Sequence, residues 1–134
     1  MNRQLKFRVW NKLDERFIKC NEGYQGHYIL SLNGEFHNLQ NGSGGKDYIV
    51  QQSTGLKDKN GKDIYEGDII HHVFDGASYP KEARDEILTC VWGTYGGMYS
   101  FENKDTEYYW AEVDNRCEVI GNIFENPELL KQNE

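Results

Sequence analysis

The turn-dense stretch from Ser53 to Val73, STGLKDKNGKDIYEGDIIHHV, constrains this chain more than any other segment. At its centre, Asn60-Gly61 is the dipeptide that a two-residue type I′ hairpin turn requires. Both central positions of that turn need positive φ, which Asn tolerates and Gly adopts freely. Asp58-Lys59 and Lys62-Asp63 flank it with charges that hold the turn in water. Thr54-Gly55-Leu56 predicts a bend ahead of the hairpin arm. Ile64-Tyr65 reads as the short returning arm, Glu66-Gly67-Asp68 as a second turn, and Ile69 to Phe74 as a strand. Gly67 allows the sharp turn, and Asp68 offers an acceptor to nearby backbone N–H groups.

The rest of the chain has the same grammar. Leu5, Phe7 and Val9 alternate with Lys6, Arg8 and Trp10, the period of a strand with one buried face. Arg16 to Cys20 returns after a polar turn, and Asn21-Glu22-Gly23 breaks that hairpin. His27 to Leu32 and Glu35 to Leu39 flank Asn33-Gly34, a second type I′ signal. Asp47 to Gln52 leads into the central stretch. Ile87 to Trp92 is apolar on both faces, which predicts a central strand covered on both sides. Met98 to Phe101 returns after Gly93–Gly97. Glu107 to Val113 reads as one strand, with Tyr109, Ala111 and Val113 on one face and Tyr108, Trp110 and Glu112 on the other. Cys117 to Ile120 is the last strand. Asn126-Pro127-Glu128 then starts a short helix, with Asn126 as N-cap and Pro127 at the first position.

The stretch TGLKDKNGKDIYEGDII resembles the signature of the YopX family, small proteins encoded by bacterial phages and prophages. Lys6 to Trp10 is similar to that family's N-terminal strand, and Glu118 to Leu130 to its closing segment. The resemblance implies a β-rich fold with an SH3-like roll built from the central stretch onward. It makes Thr54, Gly55, Leu56, Asp58, Asn60, Gly61, Tyr65, Glu66, Gly67 and Asp68 the structural family motif. The family carries no established activity, so the resemblance transfers no catalytic residue. The expected architecture is mainly β: an N-terminal antiparallel region of hairpins over residues 1–50, then an SH3-like roll with a short C-terminal helix over residues 51–134, sharing one core.

Composition limits the partners. Fifteen basic residues against 22 acidic ones give a net charge of −7, which opposes non-specific binding to duplex nucleic acid and to anionic membranes. Nine Tyr, six Phe and three Trp supply the rings from which a small β domain builds its core. The three cysteines, Cys20, Cys90 and Cys117, are far apart and lack CxxC spacing, as expected of reduced thiols in a cytoplasmic protein. The charged, alternating N-terminus is no signal peptide, and no apolar run reaches membrane-spanning length.

Each motif that suggests chemistry has a simpler reading. The glycine-rich Asn41–Gly45 fails as a phosphate loop because Gly45-Lys46 is followed by Asp47 and no helix follows. Asp58 to Asp63 fails as a calcium loop because its Gly is fourth and Ile69 occupies the twelfth place. His71 and His72, adjacent on a strand, point to opposite faces and cannot chelate one ion together. Gly42-Ser43-Gly44 lacks the strand and helix of a nucleophile elbow. Glu66 and Asp68 could serve acid–base work, but backbone capping fits a tight turn better. No catalytic residue, metal site or cofactor is therefore expected.

The aromatic group Trp92, Tyr95, Tyr99, Tyr108 and Trp110 gathers around three late strands. Exposed, it is a face for a peptide partner or for single-stranded nucleic acid. Buried, it is core and cross-strand packing, the preferred reading. Within the group, Tyr108 and Trp110 are expected to be more exposed than Tyr109, because their face also carries Glu112. The function expected is that of a non-enzymatic phage or prophage accessory protein in the bacterial cytoplasm. It would act by protein–protein contact or self-assembly as a homo-oligomer. The alternative is a nucleic-acid-binding module using the aromatic face, against which the acidic balance weighs.

Overall fold

The structure, a computed structural model, describes residues 6–18, 28–30, 36–38, 47–77, 80–92 and 98–131, with 28–30 and 36–38 given through their backbone. The second Asn-Gly turn, the glycine-rich stretch, Cys20, His27 and Tyr95 lie outside the described residues. The chain divides into two compact units, one over Leu5–Gln52 and one over Ser53–Glu134. The fold is mainly β, with antiparallel pairing throughout the described residues and a short C-terminal helix.

In the N-terminal unit, β1 (Phe7–Asn11) pairs with β2 (Arg16–Ile18) and with the first half of β5 (Tyr48–Lys57), Val9 standing between Ile18 and Val50. Val9 and Ile18 form a small core against Tyr48 and Val50. Asn11 shapes the β1–β2 turn: its side-chain oxygen accepts the backbone N–H of Leu13 and of Asp14. A further hairpin joins β3 (Tyr28–Leu30) to β4 (Phe36–Asn38).

In the C-terminal unit, β6 (Asp63–Tyr65) pairs with the second half of β5. Five strands follow in the order β10 (Glu107–Tyr109), β9 (Tyr99–Glu102), β8 (Ala83–Trp92), β7 (Asp68–Asp75), β11 (Glu118–Asn122). The inward face of this sheet presents Ile70, Phe74, Leu88, Cys90, Phe101 and Tyr108, and packs with Ile64, Val113 and Cys117 into the main core.

Three sequence expectations change. The hairpin at Asn60-Gly61 is not a type I′ turn, since among the described residues only Glu15 and Asp114 are non-glycines with positive φ. Instead the Gly61 N–H donates to the Asp58 carbonyl at 3.0 Å and the Asp58 N–H to the Lys62 carbonyl at 2.9 Å. Gly61 alone is left-handed, at φ 79°. That is a turn followed by a glycine bulge, and it needs one glycine rather than two permissive residues.

The strand from Glu107 stops at Tyr109. A single turn of helix, α1 (Trp110–Val113), and a 3-10 turn over Asp114–Arg116 replace its second half. The Glu112 carboxylate reaches back to the Tyr109 N–H at 3.1 Å, and Asp114 breaks the chain with φ 56°. Local side-chain acceptors thus outcompete the alternating pattern.

At the C-terminus, α2 (Glu128–Lys131) follows Pro127, but the Asn126 side chain does not cap it. Its oxygen accepts the Asn122 N–H at 3.2 Å instead, and it packs where a Cβ on Gly121 would stand.

Candidate functional site

The motif residues come together around one knot. Thr54 donates its hydroxyl to the Ile64 carbonyl at 2.8 Å and accepts the Leu56 N–H at 3.0 Å. Gly55, at φ 81°, sits in the irregularity where the β5–β6 register shifts between Ser53 and Lys57. Asp58 is only 5% exposed. One of its oxygens accepts the N–H groups of Asn60 and Lys62, each at 2.9 Å, and the other accepts the Val119 N–H at 2.9 Å. Lys59 adds a backbone bond to the Cys117 carbonyl at 2.9 Å. The hairpin tip is therefore fastened to β11.

A second carboxylate repeats the device. Asp68 is buried and accepts the Tyr65 N–H at 2.8 Å across the Glu66-Gly67 turn. Gly67, at φ 86°, donates to the Cys90 carbonyl at 2.8 Å and accepts the Ile123 N–H at 2.9 Å. The motif thus links β6, β7, β8 and the segment after β11 through backbone bonds.

Burial would raise the Asp58 carboxyl pKa, but three backbone N–H donors and the Lys62 charge outweigh it and hold the group below its ordinary value. Cys117, next to this knot, is pushed up to about 12 by burial and the Asp58 charge, so its thiol stays protonated. His71 and His72 do lie on opposite faces. His71 approaches Asp85 at 3.8 Å on the outer face, whereas His72 is 1% exposed on the inner face, edge-on to the Phe74 ring at 4.5 Å. Among the described residues neither ring nitrogen of His72 has a hydrogen-bond partner, and burial depresses its pKa. No group of three metal-ligating side chains occurs among the described residues.

The expected aromatic face separates into two sets. Tyr108 is 1% exposed: its ring lies 4.6 Å from Phe74, beneath the Arg84 guanidinium, in the core. Trp110 is half-buried, packed against the core at 5.9 Å from Phe101. The expected order is reversed, since Tyr109 is the exposed member. The reason is register. Tyr108 stands opposite Phe101, and Phe101 opposite Cys90, so that row faces inward, while Tyr109 stands opposite Ser100 on the other side.

Trp92 behaves differently. It is 55% exposed and stacks edge-to-face on Tyr99 at 4.8 Å, at the end of the row where the core stops. Met98, next in sequence to Tyr99, is also exposed. Trp92 thus presents a braced aromatic ring to solvent.

The sequence profile described as YopX protein matches residues 6–131. No protein with curated annotation matches the sequence. Among solved structures, the crystal structure of protein EF1440 from Enterococcus faecalis is similar over 96% of this chain and 99% of its own, at 28% identity and a TM-score of 0.60.

Proposed function

The chain belongs to the YopX protein family, and from that premise we propose that it is a non-enzymatic accessory protein acting by protein–protein contact, self-assembly included. In this reading it is phage- or prophage-encoded and works in the bacterial cytoplasm through an SH3-like C-terminal unit. One observation carries the proposal: Trp92 is 55% exposed and braced edge-to-face by Tyr99 at 4.8 Å. Tyr, Trp and Met are the residues that interfaces enrich, and a braced ring loses little conformational freedom on docking. The motif carboxylates support the same reading, because Asp58 and Asp68 both bind backbone N–H groups.

The test is absolute mass by light scattering with absorbance at 260 and 280 nm, on the wild type and on Trp92→Ser. The expected result is a closed oligomer with a clean protein spectrum, shifting toward monomer in Trp92→Ser. A monomer with excess 260 nm absorbance that Trp92→Ser removes replaces protein contact with base stacking on the same pair. A clean monomer at every concentration ends the self-assembly arm and leaves contact with a different protein.

A further inference from the structure

The apolar pattern of β8 has two faces, and the core uses one. Leu88 and Cys90 point inward and are fully buried. Ile87, Thr89 and Val91 point outward and are only half-buried. Ile69, opposite Thr89 on the same outward side, is fully buried, but Val73 farther along β7 is 55% exposed, so the cover over this face is confined to the Ile69 end of β7 and leaves β8 half-open. The strand expected to be covered on both sides is thus covered on one. Its outward residues, with Ile123 and Leu130, line a groove of about 410 Å³. That volume falls within the range of ligand sites. Two steps of strand repeat place Ile87 and Val91 about 13 Å apart, room for alternate side chains of an extended segment.

The rim of the groove is acidic where it meets β9. Glu102 lines it and stands opposite Thr89 on one side and Glu107 on the other. Like charges directly opposed across antiparallel strands repel. Glu107 accepts the Tyr109 hydroxyl, but Glu102 has no hydrogen-bond or ion-pair partner among the described residues. Lys104, on the same rim, makes no ion pair with either carboxylate.

We propose that this groove docks a protein segment that seats an aliphatic side chain on Ile87, Thr89 and Val91 and delivers a lysine or arginine to the Glu102–Glu107 pair. Neighbouring strands lie about 5 Å apart, so the cation is carried about 5–10 Å to the side of the aliphatic anchor. The cation relieves the repulsion, and the net charge of −7 favours encounter with a basic segment. The inference rests on the protein-contact reading and gives it a second surface, on the sheet face opposite Trp92.

The experiment is a methyl-NMR titration of the full chain with two probes. One is a capped hexapeptide with leucine and lysine two residues apart, so that an extended segment puts both on one face; the other has glutamate in place of lysine. The expected result is that the basic probe shifts the methyl resonances of Ile87, Val91, Ile123 and Leu130. The acidic probe binds at least about tenfold more weakly, and Glu102→Lys weakens the basic probe by a similar factor. Trp92→Ser leaves the basic probe unaffected. Equal binding of both probes, or no response at about 5 mM of either, overturns the groove. Shifts centred on the Met98 methyl instead overturn the groove but leave protein contact standing. Failure of protein contact itself is read separately, as the nucleic-acid absorbance removed by Trp92→Ser.

Discussion

The Asp58 carboxylate accepts the Val119 backbone N–H at 2.9 Å, joining two positions 61 residues apart in the chain. The same side chain holds the tip of its own hairpin through Asn60 and Lys62. One buried carboxylate therefore sets a local turn and ties it to the last strand.

Asp58→Ala removes three charge-assisted acceptor contacts and leaves a half-buried N–H at Val119 without its partner. The expected loss is about 3 kcal/mol, read as a fall in the urea midpoint at unchanged slope. Asp58→Asn keeps the shape and one acceptor oxygen, and loses less. The folded pKa of Asp58 is depressed, so its contribution is present above about pH 4 and is lost as pH falls through the folded value. Wild type and Asp58→Asn should therefore converge in stability below pH 4. A gap that stays constant down to pH 2 contradicts the assignment.

His72 acts in the opposite sense near neutral pH. Burial holds its folded pKa below about 6.5; Asp114 and Asp75 oppose the shift, while Arg116 and His71 add to it. The unfolded chain takes up the proton first, so stability falls as pH drops below about 6.5, by at most about 1.4 kcal/mol per unit from this group. His72→Leu removes from the core two ring nitrogens that have no partner among the described residues. Its stability should be flatter between pH 7 and pH 5 than that of the wild type, as measured by denaturant titration. An equal slope in both proteins rules out His72 as the source.

Two aromatic residues predicted to share a face should behave differently on truncation. Tyr108→Ala empties a core position and is expected to cost about 3–5 kcal/mol. Trp92→Ser removes a ring that is more than half in water and should cost less than about 1 kcal/mol, while changing assembly. Similar losses in both variants would place Trp92 in the core as well.

Cys90 and Cys117 are buried, and the Cys117 thiol is held at about 12. In the native protein at pH 8 both should resist alkylation by iodoacetamide, and both should react once urea unfolds the chain. Peptide mass mapping separates the two states. Rapid native modification of Cys117 is the outcome that contradicts its burial.

The β class, the hairpin at Asp58–Asp63 and the sharp turn at Gly67 were legible because they depend on neighbours in sequence. Glycine takes positive φ wherever it stands, and an Asp can bond the amides within a few residues of itself. The aromatic residues were not legible in this way. Whether Tyr108 or Tyr109 faces the core depends on which residue of β9 stands opposite, and one residue of register reverses the answer. The strand expected through Val113 ended at Tyr109 because Glu112 and Asp114 offered closer hydrogen bonds than another strand could. The run of apolar residues on both faces of β8 was plain in the sequence, but not how far the cover over its outer face extends. That is decided by segments brought over the sheet from elsewhere in the chain, as Asp58 is brought to Val119. Local sequence settles turns and periods, because the forces involved act over a few residues. Burial and pairing are settled by contacts between distant segments, and only the tertiary structure brings those together.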